Sequence, residues 1–330
     1  MQKILLVCYV SPEIGLGHLS RLMALAQKLK KDKKVIPEFV IFGELIKKDE
    51  LENFIVHNFS IDSNFATSIK KLSESNKFSV LIFDIYKNHN INNLYELFTQ
   101  LKQQSILIIS IDTLIEYCDT LDLIWIPSFN FDISKYRHCK SILKSGWDTY
   151  LIHKRFKHKE WAPGSKILVL TGGSDPSNLG ETLPAKLDQI LNKNSEVNWV
   201  KGPFSKKPSL PEKIRLNWTI HDAPQQIDRL IVQSSYILTV FGVSFFEALQ
   251  YGIPTVVFST DYKKDSEDLN SISKEKVAIV AKNSKSAVKG LSSLMIDHKL
   301  AKKISNKALN KMLKNGAQNL SKNIYSLMKI

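Results

Sequence analysis

The stretch "IGLGHLSRLMALAQKL", residues 14–29, follows the apolar run "KILLVCYV" of residues 3–10. The run has the length and composition of a strand buried on both faces. In the stretch after it, Leu22, Leu25, Ala26 and Leu29 fall at i, i+3, i+4 and i+7, the apolar stripe of a helix. Strand, glycine turn and helix together make one βα unit of a parallel sheet. Two glycines, His18 and Arg21 at the turn are more than a corner requires, so the turn is also a candidate ligand site.

Outward from that unit the alternation continues. Strands are expected at 4–9, 38–42, 80–83, 105–111 and 121–126, with helices between them. At residues 153–165 the segment "HKRFKHKEWAPGS" breaks the pattern with charge, Pro and Gly, and "KILVL" then starts a new buried strand. We place a domain boundary there, giving domains 1–155 and 156–330. Further strands are expected at 166–170, 197–200, 216–220, 236–240 and 255–258, and a helix from about Asp297 to the end. The class is α/β, two similar parallel-sheet halves with a ligand cleft between them.

Composition narrows the function. The chain of 330 residues is 43% hydrophobic, enough for two cores. Its net charge of +14 comes from 41 Lys and only 5 Arg, which disfavours nucleic acid, whose readers cluster Arg. Ten lysines stand against one acid, Asp297, between Asn283 and Ile330. That is a solvated helical face, or a contact with an anionic membrane surface or a polyanionic substrate. Cys8, Cys118 and Cys139 make an odd count without CxxC spacing, so free thiols in a reducing cytoplasm are expected. No apolar run reaches the ~20 residues of a membrane span. The eight histidines lack metal-ligand spacing, and neither a metal nor a cofactor is expected. The partner expected is a small molecule, and the chain reads as a monomer.

Three glycine turns follow expected strands and open expected helices: "IGLGHLSR" at 14–21, "TGGSDPSN" at 171–178 and "VFGVSFFEA" at 240–248. Such turns suit phosphate, because helix N-termini present unpaired N–H groups and glycine admits a close anion. The first turn offers G-x-G-x-x-S and lacks the third glycine of a dinucleotide site. A Walker P-loop and a G-x-S-x-G nucleophile elbow are both absent. His18 at a helix start suits a general base, or a cap. Arg21 faces a phosphate or an acid. Asp84 and Tyr86 stand at the end of the strand in "LIFDIY". Asp175 reads as a helix cap with Pro176 at the first helical position. Ser244 and Glu247 have the S-x-x-E spacing of a capping box, and Glu247 can also accept from ribose hydroxyls.

Taken in order, "GLGHLSRLMALAQKL", "LIFDIY", "LVLTGGSDPSNL" and "FGVSFFEALQYGIPTVVF" resemble the UDP-2,4-diacetamido-2,4,6-trideoxy-β-L-altropyranose hydrolases of pseudaminic acid biosynthesis. These are relatives of the GT-B glycosyltransferases, and the resemblance spans roughly residues 3–282. It implies a GT-B-like fold of two Rossmann-like domains. It also implies that His18, Asp84 and Tyr86 are catalytic, with Gly15, Gly17 and Arg21 around them, and that Gly172, Gly173, Asp175, Gly242, Ser244 and Glu247 hold the uridine diphosphate. The sequence departs from the family pattern at three places. "VVFSTDYKKD" has Asp261 and Tyr262 where an Asn-Gln pair is usual, Thr113 replaces a second acid beside Asp112, and His153 stands near an expected Arg. These positions choose sugar and acceptor. The readings are therefore, in order, inverting hydrolysis of a UDP-sugar, transfer of the sugar to a glycan or lipid, and nucleotide-sugar binding without chemistry.

Overall fold

The computed structural model describes residues 1–46, 49–85, 91 and 93–330. It divides into two compact units: residues 1–152 with 314–330, and residues 153–313.

The first unit opens with β1 (Gln2–Val10), α1 (Gly17–Asp32), β2 (Val35–Gly43), β3 (Ile55–Phe59), α2 (Phe65–Ser75) and β4 (Phe78–Asp84). It continues with α3 (Leu94–Gln103), β5 (Leu107–Ile111), β6 (Leu123–Ile126) and β7 (Ile142–Ser145). Its seven strands are all parallel, in the order β3-β2-β1-β4-β5-β6-β7. Ile4 to Val10 are buried without a break, as a central strand covered on both faces must be. On α1, Leu22, Leu25 and Leu29 are fully buried, each contributing about 2 kcal/mol by transfer from water.

The second unit contains β8 (Lys166–Leu170), α4 (Leu179–Ile190), β9 (Glu196–Lys201), β10 (Asn217–Asp222), α5 (Ile227–Gln233) and β11 (Tyr236–Val240). Then follow α6 (Val243–Gln250), β12 (Thr255–Phe258), α7 (Tyr262–Glu275), β13 (Ile279–Ala281), α8 (Ser284–Ile296) and α9 (His298–Lys311). The six strands are parallel, in the order β10-β9-β8-β11-β12-β13. The last helix, α10 (Gly316–Met328), belongs to the first unit and packs on α1, where Tyr325 Oη donates to Asp32 Oδ2 at 3.0 Å.

Several expectations are corrected. The basic C-terminal region is not one helix of the second domain. Asp297 caps α9 by accepting from Leu300 N, the chain breaks before Gly316, and α10 returns to the first unit. β3, β7 and β13 were not expected, because an edge strand carries polar residues or is too short for a clear period. The free-thiol expectation fails for one pair, since Cys118 and Cys139 form a disulfide across 21 residues while Cys8 stays free and buried. The packing of β6 and β7 beside β5 brings that pair together, and spacing alone does not reveal it. His138 completes a group whose sulfur and nitrogen atoms lie within 4.8 Å of one another, with both sulfurs held in the disulfide. Among the described residues, no helix is long and apolar enough to cross a membrane.

Closing a loop of this length restricts the unfolded chain by about 3 kcal/mol. Cys118→Ser is therefore expected to lower the urea midpoint of unfolding by that equivalent, and reductant should do the same to the wild type but not to the variant.

Candidate active site

In an open parallel sheet, ligands sit beyond the carboxyl ends of the strands where the strand order reverses. In the first unit that point lies between β1 and β4, which pair in register through Cys8 and Asp84. After β1 the chain turns through Ser11 to Gly15, with Gly15 N donating to Ser11 O at 2.8 Å and Ile14 N donating to the Ser11 hydroxyl at 3.3 Å. It enters α1 at Gly17, so His18 is the second helical residue and Arg21 stands one turn later. Asp84 is the last residue of β4 and is fully buried.

The strand order thus brings His18, Arg21 and Asp84 together, with Asp112 as a fourth member. His18 Nδ1 lies 2.5 Å from Asp84 Oδ1. Arg21 donates from Nε to Asp84 Oδ2 at 2.9 Å and from Nη2 to Asp84 Oδ1 at 2.6 Å, a bidentate pair. Its Nη1 donates to Asp112 Oδ2 at 2.8 Å. The guanidinium is thereby committed to two carboxylates, so of the two readings of Arg21 the structure supports the acid partner. Asp112 is the first residue after β5, in a left-handed conformation, φ 70°, and Thr113 Oγ1 donates to Ile85 O at 2.9 Å. Tyr86 lies outside the described residues.

Charge explains the cluster. Burial pushes the Asp84 carboxyl up, but the Arg21 guanidinium, His18 and the hydrogen bonds from both outweigh it and hold it below the ordinary carboxylate range. Burial works against the Arg21 cation, and Asp84 with Asp112 overcomes this and holds it more firmly protonated. Asp84 is therefore an acceptor only, and the proton between it and His18 belongs to Nδ1. With the proton on Nδ1, the nitrogen left to carry a lone pair when the ring is neutral is Nε2, the tautomer of a general base. Burial, then the charge of Asp84, pushes the Cys8 thiol well up, which makes it a poor nucleophile.

In the second unit the order reverses between β8 and β11, and the other two glycine turns follow those strands. A side-chain carbon at Gly172 would lie 4.0 Å from Val240 Cγ2, so the turns are neighbours. Gly202, which the sequence reading missed, locks the first of them. Any side chain there would meet Gly173 O at 2.2 Å, and Phe204 N donates to Gly173 O at 3.0 Å. Asp175 accepts from Leu179 N at 3.0 Å and from Gly180 N at 2.8 Å. It caps α4 from upstream, and Pro176 precedes the helix instead of opening it. The Thr171 hydroxyl, buried at the head of the turn, has no hydrogen-bond partner among the described residues.

The capping box expected at Ser244 and Glu247 does not form. Gly242 is the N-cap of α6, no side chain caps it, and Ser244 and Glu247 are its second and fifth residues. A side-chain carbon at Gly242, φ 158°, would meet nothing within 4 Å, so glycine there keeps open the space before the helix end. Asp261, at an expected sugar-side position, is the N-cap of α7, and its Oδ1 accepts from Lys264 N at 3.3 Å. His153 gives its carbonyl to Gln250.

Two parallel-sheet domains, each carrying its glycine turns at its own strand-order reversal, define a chain of the GT-B fold. Solved structures agree on that fold. Phytolacca americana UGT2, in complex with UDP-2-fluoro-glucose and pterostilbene, superposes with a TM-score of 0.68 at 13% identity, covering 99% of this chain and 100% of that one. The calicheamicin glycosyltransferase CalG4 superposes with a TM-score of 0.65 at 11% identity, covering 100% and 99%. In sequence, the chain is 27% identical over 307 residues to protein MJ1062 of Methanocaldococcus jannaschii, an alignment that spans 82% of this chain and 59% of that protein's length. No protein-family profile matches.

Two consequences of the cluster are measurable. Asp84→Asn leaves Arg21 buried without its bidentate partner and should cost about 3–5 kcal/mol in urea unfolding at neutral pH. Because the folded carboxyl titrates below the ordinary range, its stabilisation is complete above ~4 and is lost as pH falls through the lower folded value. The gap between wild type and Asp84→Asn should therefore stay constant above ~4 and narrow progressively below it.

Proposed function

We propose that the chain is a nucleotide-sugar enzyme that transfers the sugar of a UDP-sugar to a hydroxyl acceptor, with His18 as general base. The contact that carries this reading is the 2.5 Å approach of His18 Nδ1 to a buried, ionised Asp84 at a strand-order reversal. An acceptor hydroxyl attacks the anomeric carbon and its proton passes to His18 Nε2. The bond from that carbon to the diphosphate oxygen breaks, and the electron pair leaves on UDP. Attack on the face opposite UDP inverts the configuration. Asp84 stabilises the imidazolium as it forms, and Arg21 with Asp112 keeps Asp84 charged.

The diphosphate is assigned to the second unit. There the open N-terminus of α6 at Gly242, the Ser244 hydroxyl and the turn at Gly172 and Gly173 supply donors for the developing negative charge. Glu247 is assigned to the ribose hydroxyls, and Asp175 holds the turn. Gly15 and Gly17 shape the approach to His18. UGT2 was solved with a UDP-sugar analogue and a second small molecule together, and CalG4 is a glycosyltransferase, both of which support transfer. A second reading replaces the acceptor by water. The four motifs shared with the pseudaminic acid hydrolases favour it, with a UDP-diacetamido-trideoxy-hexose as substrate.

The test is release of UDP from a panel of UDP-sugars, with and without glycan and lipid-linked acceptors. Acceptor-dependent release is expected, falling by roughly 10²–10⁴ in His18→Ala while calorimetric UDP binding is retained. Acceptor-free release of the inverted sugar would assign water. A protein that binds UDP and turns over no donor under either condition overturns the catalytic reading. Gly242→Ala fills the space before α6 and is expected to weaken UDP binding while leaving the His18–Asp84 cluster unchanged.

A further inference from the structure

The charge of the C-terminal region is not absorbed by this chemistry. Beyond Glu275 the one acid is Asp297, and its carboxylate is engaged in capping α9. Lys302 pairs with Glu160 and Lys311 with Glu275. Among the described residues, Lys285 and Lys289 on α8, and Lys299, Lys303 and Lys307 on α9, have no carboxylate within ion-pair distance. The acids of α4, which packs on α8, are occupied elsewhere. Asp188 accepts from Arg215 N and Leu216 N, and Glu181 faces Lys206.

The free lysines share faces with exposed apolar side chains. On α8, Lys285, Lys289 and Ile296 fall at i, i+4 and i+11, one face. On α9, Leu300, Lys303 and Lys307 fall at i, i+3 and i+7. Ile296 is 79% exposed and Leu300 37% exposed, on either side of the Asp297 corner. On α8 the opposite face, with Val288 and Leu291, is buried in the unit's core, and on α9 Ala301 and Ile304 are buried beside the stripe, so that Leu300 stands at its edge. A solvated helix has no need of two exposed aliphatic tips among unpaired cations.

We propose that the α8–α9 corner docks on an anionic lipid bilayer, with Ile296 and Leu300 entering the interface and the lysines facing the headgroups. Charge complementarity identifies the partner, and the aliphatic tips select a bilayer over nucleic acid. α8 and α9 contain no arginine, the group that binds phosphate bidentately, and no Phe, Tyr or Trp to stack on bases, His298 at the start of α9 being the one aromatic ring. Apolar insertion combined with a basic face is the two-signal arrangement that makes peripheral attachment stable. The docking surface is thus α8–α9, whereas α10 lies against α1 in the first unit. This inference is independent of the reaction proposed above.

The experiment is co-sedimentation of the full chain with vesicles of phosphatidylcholine alone and of phosphatidylcholine mixed with phosphatidylglycerol, at low and high salt. Binding is expected to the mixed vesicles only and to fade as salt screens it. Lys299→Glu, Lys303→Glu and Lys307→Glu combined should lower partitioning by more than the order of a hundredfold, roughly fivefold per lysine, that loss of the three charges alone removes. The corresponding glutamine variant gives a smaller loss without charge reversal, and melting curves check that both fold. Ile296→Ser with Leu300→Ser should also weaken binding. Absence of binding to mixed vesicles, equal binding to phosphatidylcholine alone, or variants that bind like wild type would overturn the proposal. So would single-stranded RNA that binds more tightly than vesicles and is insensitive to the Ile296 and Leu300 changes.

Discussion

A carboxylate with no exposed surface must be matched in charge where it stands, and Asp84 imposes that requirement on the first unit. Arg21 meets it with two of its three nitrogens, and the third reaches Asp112. The geometry of His18 follows. With Asp84 ionised, the ring donates from Nδ1 and its basic nitrogen is fixed as Nε2. The same demand explains why an arginine stands one helical turn after the histidine. A lysine would supply charge but not the planar fork that spans both oxygens of Asp84 and reaches a second acid.

Each unit has the same logic. An all-parallel sheet needs crossover helices on both faces, so its strand order reverses somewhere, and the loops on either side of the reversal part company there. β1 with β4 in the first unit, and β8 with β11 in the second, are those places. The two units fill them differently, one with titratable side chains and the other with glycine backbone and an open helix end. One arrangement moves protons, and the other holds a charged group without moving any.

What the sequence made legible was whatever repeats locally. The stripe of α1 and the unbroken apolar run of β1 are periodic or continuous, and both stand in the structure. His18, Arg21 and Asp84 were visible because they sit at ends of such elements. Asp112 stands in the sequence beside Thr113, but its pairing with Arg21 does not show there, because the partner lies 91 residues earlier and depends on β5 lying beside β4. Gly202 marks no turn of its own, and its requirement arises from a carbonyl pressed against it from the turn after β8. The Cys118–Cys139 pair and the return of α10 are likewise tertiary facts. The S-x-x-E spacing misled because Gly242, two residues earlier, had already begun the helix.

The return of residues 314–330 to the first unit makes that unit discontinuous along the chain, while the second is a single uninterrupted span. The seven strands of the first unit all precede the second, and only the cover that α10 gives α1 comes from a segment synthesised after it. Residues 153–313 hold every segment of their own sheet and can close as soon as they emerge, whereas the flank of α1 that α10 covers must wait for the final helix. The unit that carries the His18 turn is thus closed by a helix that lies beyond the whole of the other unit along the chain.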